Sequence, residues 1–246
     1  MKRLALSLAA AALIAAEPFD PFNEASIDDR PGAQVPMDLP VIAADGSRTT
    51  LRRIADGKPV LLAPVLHDCP NICGVTLAGL ADALAAQPRE TDRKVAVVAF
   101  GIDPQETVAD AAADRLRNSR LTATFVVGNP PQVHAVTDAL GYRYAYDPRI
   151  RQYAHVAAIA VLTPEGRLVR WLNGIAPDPA VLGRAVADAR VGRTGVFARA
   201  IGLLCYHYDP ETGRYSLAIG RMIRTAALLT ALALAVAIFL LSRRRA

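Results

Sequence analysis

Two runs of this chain are apolar at every position. Pro59-Val60-Leu61-Leu62-Ala63-Pro64-Val65-Leu66 and Val95-Ala96-Val97-Val98-Ala99-Phe100 have no polar side chain to turn toward water. They are short for buried helices and suit strands covered on both faces. Such a sheet needs helices above and below it, and the chain provides them between the strands. Alanine-rich helical patterns follow each run, Thr76 to Ala86 and Thr107 to Asn118. Leu121 to Val127 reads as a strand, and Pro131 to Leu140 as a helix stopped by Gly141. Val156 to Leu162 and Leu168 to Leu172 read as strands joined by the turn Thr163-Pro164-Glu165-Gly166-Arg167, with a last helix over Val181 to Arg190. Upstream, Val41 to Leu51 predicts a hairpin turning at Ala44-Asp45-Gly46-Ser47, and Leu51 to Ala55 a helical turn closed by Gly57. The order predicts an α/β fold, a mixed sheet with flanking helices. No internal repeat or low-complexity tract interrupts it.

Between the first buried strand and its helix lies His67-Asp68-Cys69-Pro70-Asn71-Ile72-Cys73-Gly74-Val75-Thr76, holding two of the three cysteines. A strand, a tight turn and a helix with paired thiols at the turn predict a thioredoxin-like fold. The spacing is Cys-x-x-x-Cys, not the Cys-x-x-Cys of thioredoxins. Residues four apart in a first helical turn share a face, with Cβ atoms about 5–6 Å apart. Thiols so placed can join in a disulfide, close on one soft metal ion, or be buried as small apolar side chains. The polar neighbours His67, Asp68 and Asn71 argue against the last. The N-terminal end of a helix would lower the pKa of both thiols. Pro70 gives up an N–H that a first turn does not use.

The histidines are His67, His134, His155 and His207. His134 falls in a helix and reads as surface or structural. His155, in Tyr153-Ala154-His155-Val156, stands at the start of a strand late in the order. Taken alone, such a histidine is more often structural. In a thioredoxin-like sheet, however, that edge lies beside the cysteine turn. Two thiolates and one imidazole suit Cu(I), which accepts low coordination, whereas zinc wants a fourth ligand.

With these residues in view the chain resembles the Sco/SenC family of cytochrome c oxidase assembly proteins. Three segments carry the likeness: Cys69-Pro70-Asn71-Ile72-Cys73, Ile102-Asp103-Pro104-Gln105-Glu106-Thr107, and His155 followed by Ala160-Val161-Leu162-Thr163-Pro164-Glu165-Gly166. It covers about residues 35–190. The resemblance implies that Cys69, Cys73 and His155 bind copper for delivery to the binuclear copper centre of cytochrome c oxidase subunit II. It also implies thiol–disulfide chemistry on that subunit. There are departures. Gly74 stands where the family often has proline. Ala154 stands where an aspartate commonly precedes the histidine, so a carboxylate that could hold the imidazole is missing. Asp103 reads either as an acceptor near the site or as the cap of the helix near Thr107. The alternative function is a thiol–disulfide oxidoreductase, with Cys69 attacking and Cys73 resolving, supplied by a thiol reductant. That chemistry has no need of His155. A thiol peroxidase would want an activating Arg and Thr set that the cysteine context lacks.

Net charge is +5, and Lys2, Arg3, Arg243, Arg244 and Arg245 account for all of it. The body is neutral, with no nucleic-acid footprint. Residues 1–16, a charged start and an apolar run, read as a secretory signal peptide. Residues 17–40, rich in Pro and Asp, read as an extended arm or linker, and 41–195 as the copper-binding domain. In the membrane-proximal segment 196–222, Leu204-Cys205-Tyr206-His207-Tyr208 reads as an interfacial aromatic belt, or as a second copper site or docking patch. Residues 223–242 hold an uncharged apolar run, Thr225 to Leu241, at the short limit of a transmembrane helix. The arginine cluster in 243–246 then puts the C-terminus in the cytoplasm and the body in the periplasm of a bacterial inner membrane. Thiols there are exposed to oxidation.

Overall fold

The computed structural model describes residues 24–69, 73–88, 94–148 and 151–194, with Leu229 and Thr230. All but those last two belong to one unit, bounded at residue 195. Its centre is three parallel strands: β4 (Val60–Val65), β5 (Ala96–Gly101) and β6 (Thr124–Val127). On one side β10 (Ala158–Leu162) runs antiparallel to β4, and β11 (Leu168–Asn173) antiparallel to β10. On the other side β2 (Pro40–Ala43) runs antiparallel to β6, and β3 (Arg48–Thr50) closes the edge. The seven-stranded order is β11-β10-β4-β5-β6-β2-β3. The helices are α1 (Leu51–Ala55), α2 (Cys73–Ala85), α3 (Val108–Arg117), α4 (Pro130–Leu140) and α5 (Pro179–Arg190).

Every residue of β4 and β5 is buried, as their unbroken apolar sequence requires. The pleat sends successive side chains to opposite faces. Leu61, Ala63 and Val65 therefore meet Leu77 and Leu80 of α2 and Leu182 and Val186 of α5. Val60 and Leu62 instead join Leu51 of α1 and Val133 and Leu140 of α4. Local chemistry sets the helix ends. Thr107 and Asp110 form a reciprocal capping box on α3, so Thr107, not Asp103, is its cap. Pro130 and Pro131 open α4, and Gly141 ends it in the left-handed region at φ 66°. A Cβ on Gly141 would come 2.1 Å from the Asp28 carbonyl oxygen.

The structure differs from the sequence reading in four places. The stretch read as an arm is packed on the body from Ser26 onward: β1 (Ser26–Ile27) pairs with β7 (Tyr142–Arg143), and Val35 and Met37 lie in the core. A second small pair, β8 (Ala145–Asp147) with β9 (Gln152–Ala154), fills a stretch for which no strand was expected. The helix after the cysteine turn starts at Cys73, ahead of Thr76. Strand β10 starts at Ala158, which leaves His155 on the loop before it. The expected signal peptide, Cys205 and His207 lie outside the described residues. So does the expected transmembrane helix, apart from Leu229 and Thr230, which are helical. Among the described residues no helix is long and apolar enough to cross a membrane.

Candidate metal centre

Strand β4 delivers the chain to the site. It ends at Val65, the turn Leu66-His67-Asp68-Cys69 follows, and α2 opens at Cys73. Because β10 is antiparallel to β4, its leading end and the loop carrying His155 lie at the carboxyl end of β4. Carboxyl ends of parallel strands are where open α/β sheets place their ligands. Cys73 and His155, 82 residues apart, meet there with Sγ and Nε2 separated by 3.5 Å. Cys73 is only 3% exposed, and Cys69 and His155 are half-buried. The thiol of Cys69 interacts with that of Cys73, and neither is in a disulfide. Among the described residues no three His, Cys, Asp or Glu side chains form a ready cage for a metal ion. What is assembled is the Cys73–His155 pair, with Cys69 beside Cys73.

A buried hydroxyl fixes which imidazole nitrogen faces the sulfur. Tyr142 Oη donates its one proton to the Val156 carbonyl oxygen at 2.6 Å. It lies 3.0 Å from His155 Nδ1 and can only accept there. In the neutral ring Nδ1 therefore carries the hydrogen, and Nε2 presents its lone pair to Cys73. Burial holds Tyr142 well above the usual phenol range, so its hydroxyl stays protonated. Burial also pushes the Cys73 thiol up, to which the neighbouring Cys69 adds. The metal-free thiol keeps its proton and donates it to Nε2. A lowered pKa at the helix end, expected from the sequence, is not what the structure has for Cys73: desolvation is the largest effect and outweighs the backbone hydrogen bond at Leu66, which lowers it. Sulfur and nitrogen donors bonded at about 2.3 and 2.0 Å to one three-coordinate ion would stand roughly 3.7 Å apart. The Cys73–His155 separation of 3.5 Å is close to that span, and thiolate with imidazole is a set that Cu(I) takes.

The sequence pattern of the SCO1/SenC family matches residues 29–189. The chain belongs to the SCO1/SenC family. Solved structures share its thioredoxin-like fold. A chain from Aquifex aeolicus matches with a TM-score of 0.61 at 20% identity, covering 69% of this chain and 98% of that one. Copper-bound ScoI of Arabidopsis thaliana matches at 0.53 and 20%, covering 66% and 99%. BsSco, a member of the Sco family of cytochrome c oxidase assembly proteins with an identified disulfide switch, matches at 0.51 and 16%, covering 66% and 95%. No curated protein matches the chain.

In this SCO1/SenC chain the residue before the histidine is Ala154, and the partner of His155 Nδ1 comes from Tyr142 instead. The turn itself is pinned from below by His67, which is fully buried. His67 Nε2 donates to the Val126 carbonyl oxygen at 3.0 Å, and Nδ1 faces Asp114 Oδ2 at 3.0 Å. Arg117 of α3 bonds both Asp114 Oδ1 and the His67 carbonyl oxygen. Burial opposes charging the ring and is the largest single effect. The Asp114 hydrogen bond, the Glu106 charge and the Val126 carbonyl together overcome it, and the His67 pKa ends above the usual value. His67 is thus a structural pin with both nitrogens engaged. Glu106 Oε1 accepts from the Asp68 N–H at 3.2 Å. Asp103 closes a local turn, accepting from the Gln105 N–H at 2.8 Å. His134 is exposed on α4. Sequence reasoning passed over Tyr142, Asp114 and the role of Glu106. The alternating Tyr142, Tyr144 and Tyr146 carried a strand signal that could have drawn attention to the first.

Proposed function

We propose that this chain carries copper for cytochrome c oxidase assembly, holding it on Cys69, Cys73 and His155 and passing it to the binuclear copper centre of subunit II. The observation that carries this reading is the Cys73 Sγ–His155 Nε2 pair at 3.5 Å, with Nδ1 already committed to Tyr142. Loading displaces the proton between Cys73 and His155, so uptake releases protons and strengthens as pH rises. Cys69, more exposed than Cys73, is the ligand that an acceptor's thiolate reaches first. Handover then proceeds by exchange of sulfur ligands. Cargo on the thiols also keeps them from oxidising to a disulfide in the periplasm, where we place the body, tethered by residues 223–242 with the tail 243–246 in the cytoplasm.

The same contrast in exposure favours a second reading. A more exposed Cys69 before a buried Cys73 is the arrangement of an attacking and a resolving thiol, able to keep the oxidase subunit's cysteines reduced. The test is anaerobic Cu(I) titration of the reduced full chain against a competing chelator, repeated with His155→Ala and Cys205→Ala. One tight Cu(I) lost with His155→Ala supports the copper reading. Binding lost only with Cys205→Ala moves the site to the membrane-proximal segment. No tight binding, with a readily cycled Cys69–Cys73 disulfide, leaves the oxidoreductase.

A further inference from the structure

Glu106 lies outside the ligand set, on the loop between β5 and α3. One carboxyl oxygen, Oε1, accepts from the Asp68 N–H at 3.2 Å. The other, Oε2, is buried with no hydrogen-bond partner among the described residues. A Cβ on Gly101 would come 2.9 Å from Oε2 and 3.0 Å from Cδ2 and Nε2 of His67. Gly101 therefore leaves the space that the carboxyl and the ring occupy. Burial pushes the Glu106 pKa up to about 7, against the opposing pull of the His67 charge and the peptide N–H groups of Asp68 and His67.

The charged and titratable groups around Glu106 come from several elements. His67 faces it from the end of β4, and Asp103 from its own loop. Tyr153 approaches from β9. Arg48 of β3 lines the same cavity of about 370 Å³. Asp114 and Arg117 of α3 stand behind His67. A hydrogen bond to an ionised carboxylate is roughly twice as strong as one to a neutral acceptor. A change of charge at Glu106 is thus felt directly by the Asp68 N–H, and Asp68 is bonded to Cys69.

We propose that Glu106 is a positioning residue for Cys69: ionised, its carboxylate grips the Asp68 peptide and sets the posture of the turn, and protonation loosens that grip. The clamp stands on geometry alone, while its use in taking up and releasing cargo rests on the copper reading above.

The experiment uses the full chain in detergent, reduced and metal-free, so that failure of copper binding cannot be confused with failure of the clamp. The Asp68 amide resonance and the Glu106 carboxyl carbon are followed by NMR across neutral pH, with iodoacetamide alkylation of Cys69 alongside. The expected result is one shared midpoint near 7 for both resonances, with an inflection in the alkylation profile at the same pH. Glu106→Gln keeps an acceptor for the Asp68 N–H and removes the titration, so the Asp68 midpoint and the inflection disappear. Two results overturn the proposal. One is an Asp68 titration unchanged in Glu106→Gln, which would belong to His67. The other, readable in the wild type even if the variant fails to fold, is a Glu106 carboxyl whose midpoint Asp68 does not share.

Discussion

Tyr142→Phe separates the hydroxyl from the ring. The ring's stack on Trp171, with centroids 5.6 Å apart, survives the change. Two hydrogen bonds do not: the one to Val156 O at 2.6 Å and the one from His155 Nδ1 at 3.0 Å. Tyr142 is 2% exposed, so water does not readily replace the lost oxygen. A buried group left unpaired costs about 1–3 kcal/mol. His155 and Val156 are half-buried, which puts the loss in metal-free stability toward the lower part, about 1–2 kcal/mol. Copper binding suffers separately, because Nδ1–H is no longer held and the ring can turn or take the other tautomer. Loss of the group that orients a ligating histidine costs about 10–100-fold in metal affinity, or roughly 1.4–2.7 kcal/mol. Urea denaturation of the metal-free protein reads the first quantity, and chelator competition for Cu(I) reads the second. Reduced stability with unchanged Cu(I) affinity would refute the tautomer argument. No change in either would refute the hydrogen-bond assignment itself.

Two further predictions follow from the buried charges. His67→Phe takes one partner from the buried Asp114, which keeps Arg117 and Asn118, and should cost about 1–3 kcal/mol in urea denaturation; no measurable loss would mean that the His67–Asp114 hydrogen bond adds nothing. The folded state raises the pKa of both His67 and Glu106, so it holds their protons more tightly than the unfolded chain does. Their contribution is therefore full below the unfolded pKa of each and lost as pH rises through the folded value, near 7 for Glu106. For Glu106 the span is up to about 3 kcal/mol. Stability of the metal-free protein should fall from mildly acidic to mildly alkaline pH, and Glu106→Gln should flatten part of that slope; a slope unchanged by the substitution would contradict the burial of this carboxyl.

The central sheet was legible because β4 and β5 are apolar at every position, which leaves only a doubly covered strand. The cysteine turn and His155 were legible because thiols and imidazoles have few uses, and the α/β order implied which sheet end they share. The missed strands are another matter. β1 has two residues and β8 and β9 three each, too few for a periodic pattern to emerge. Val35 and Met37 sit in a Pro- and Asp-rich stretch whose composition hides two core positions. The Cys73 thiol moved against the local expectation because its pKa depends on burial under side chains distant in sequence. Tyr142–His155 and Glu106–Asp68 are likewise meetings of separate elements, invisible until the sheet brings them together.

The most direct measurement is copper-edge X-ray absorption on the Cu(I)-loaded full chain, with His155→Ala loaded in parallel. Two sulfur scatterers and one imidazole, the imidazole lost in His155→Ala and one sulfur lost in Cys73→Ser, is the predicted result. Imidazole scattering that persists in His155→Ala, or a copper ion bound without sulfur, would contradict the Cys69–Cys73–His155 site.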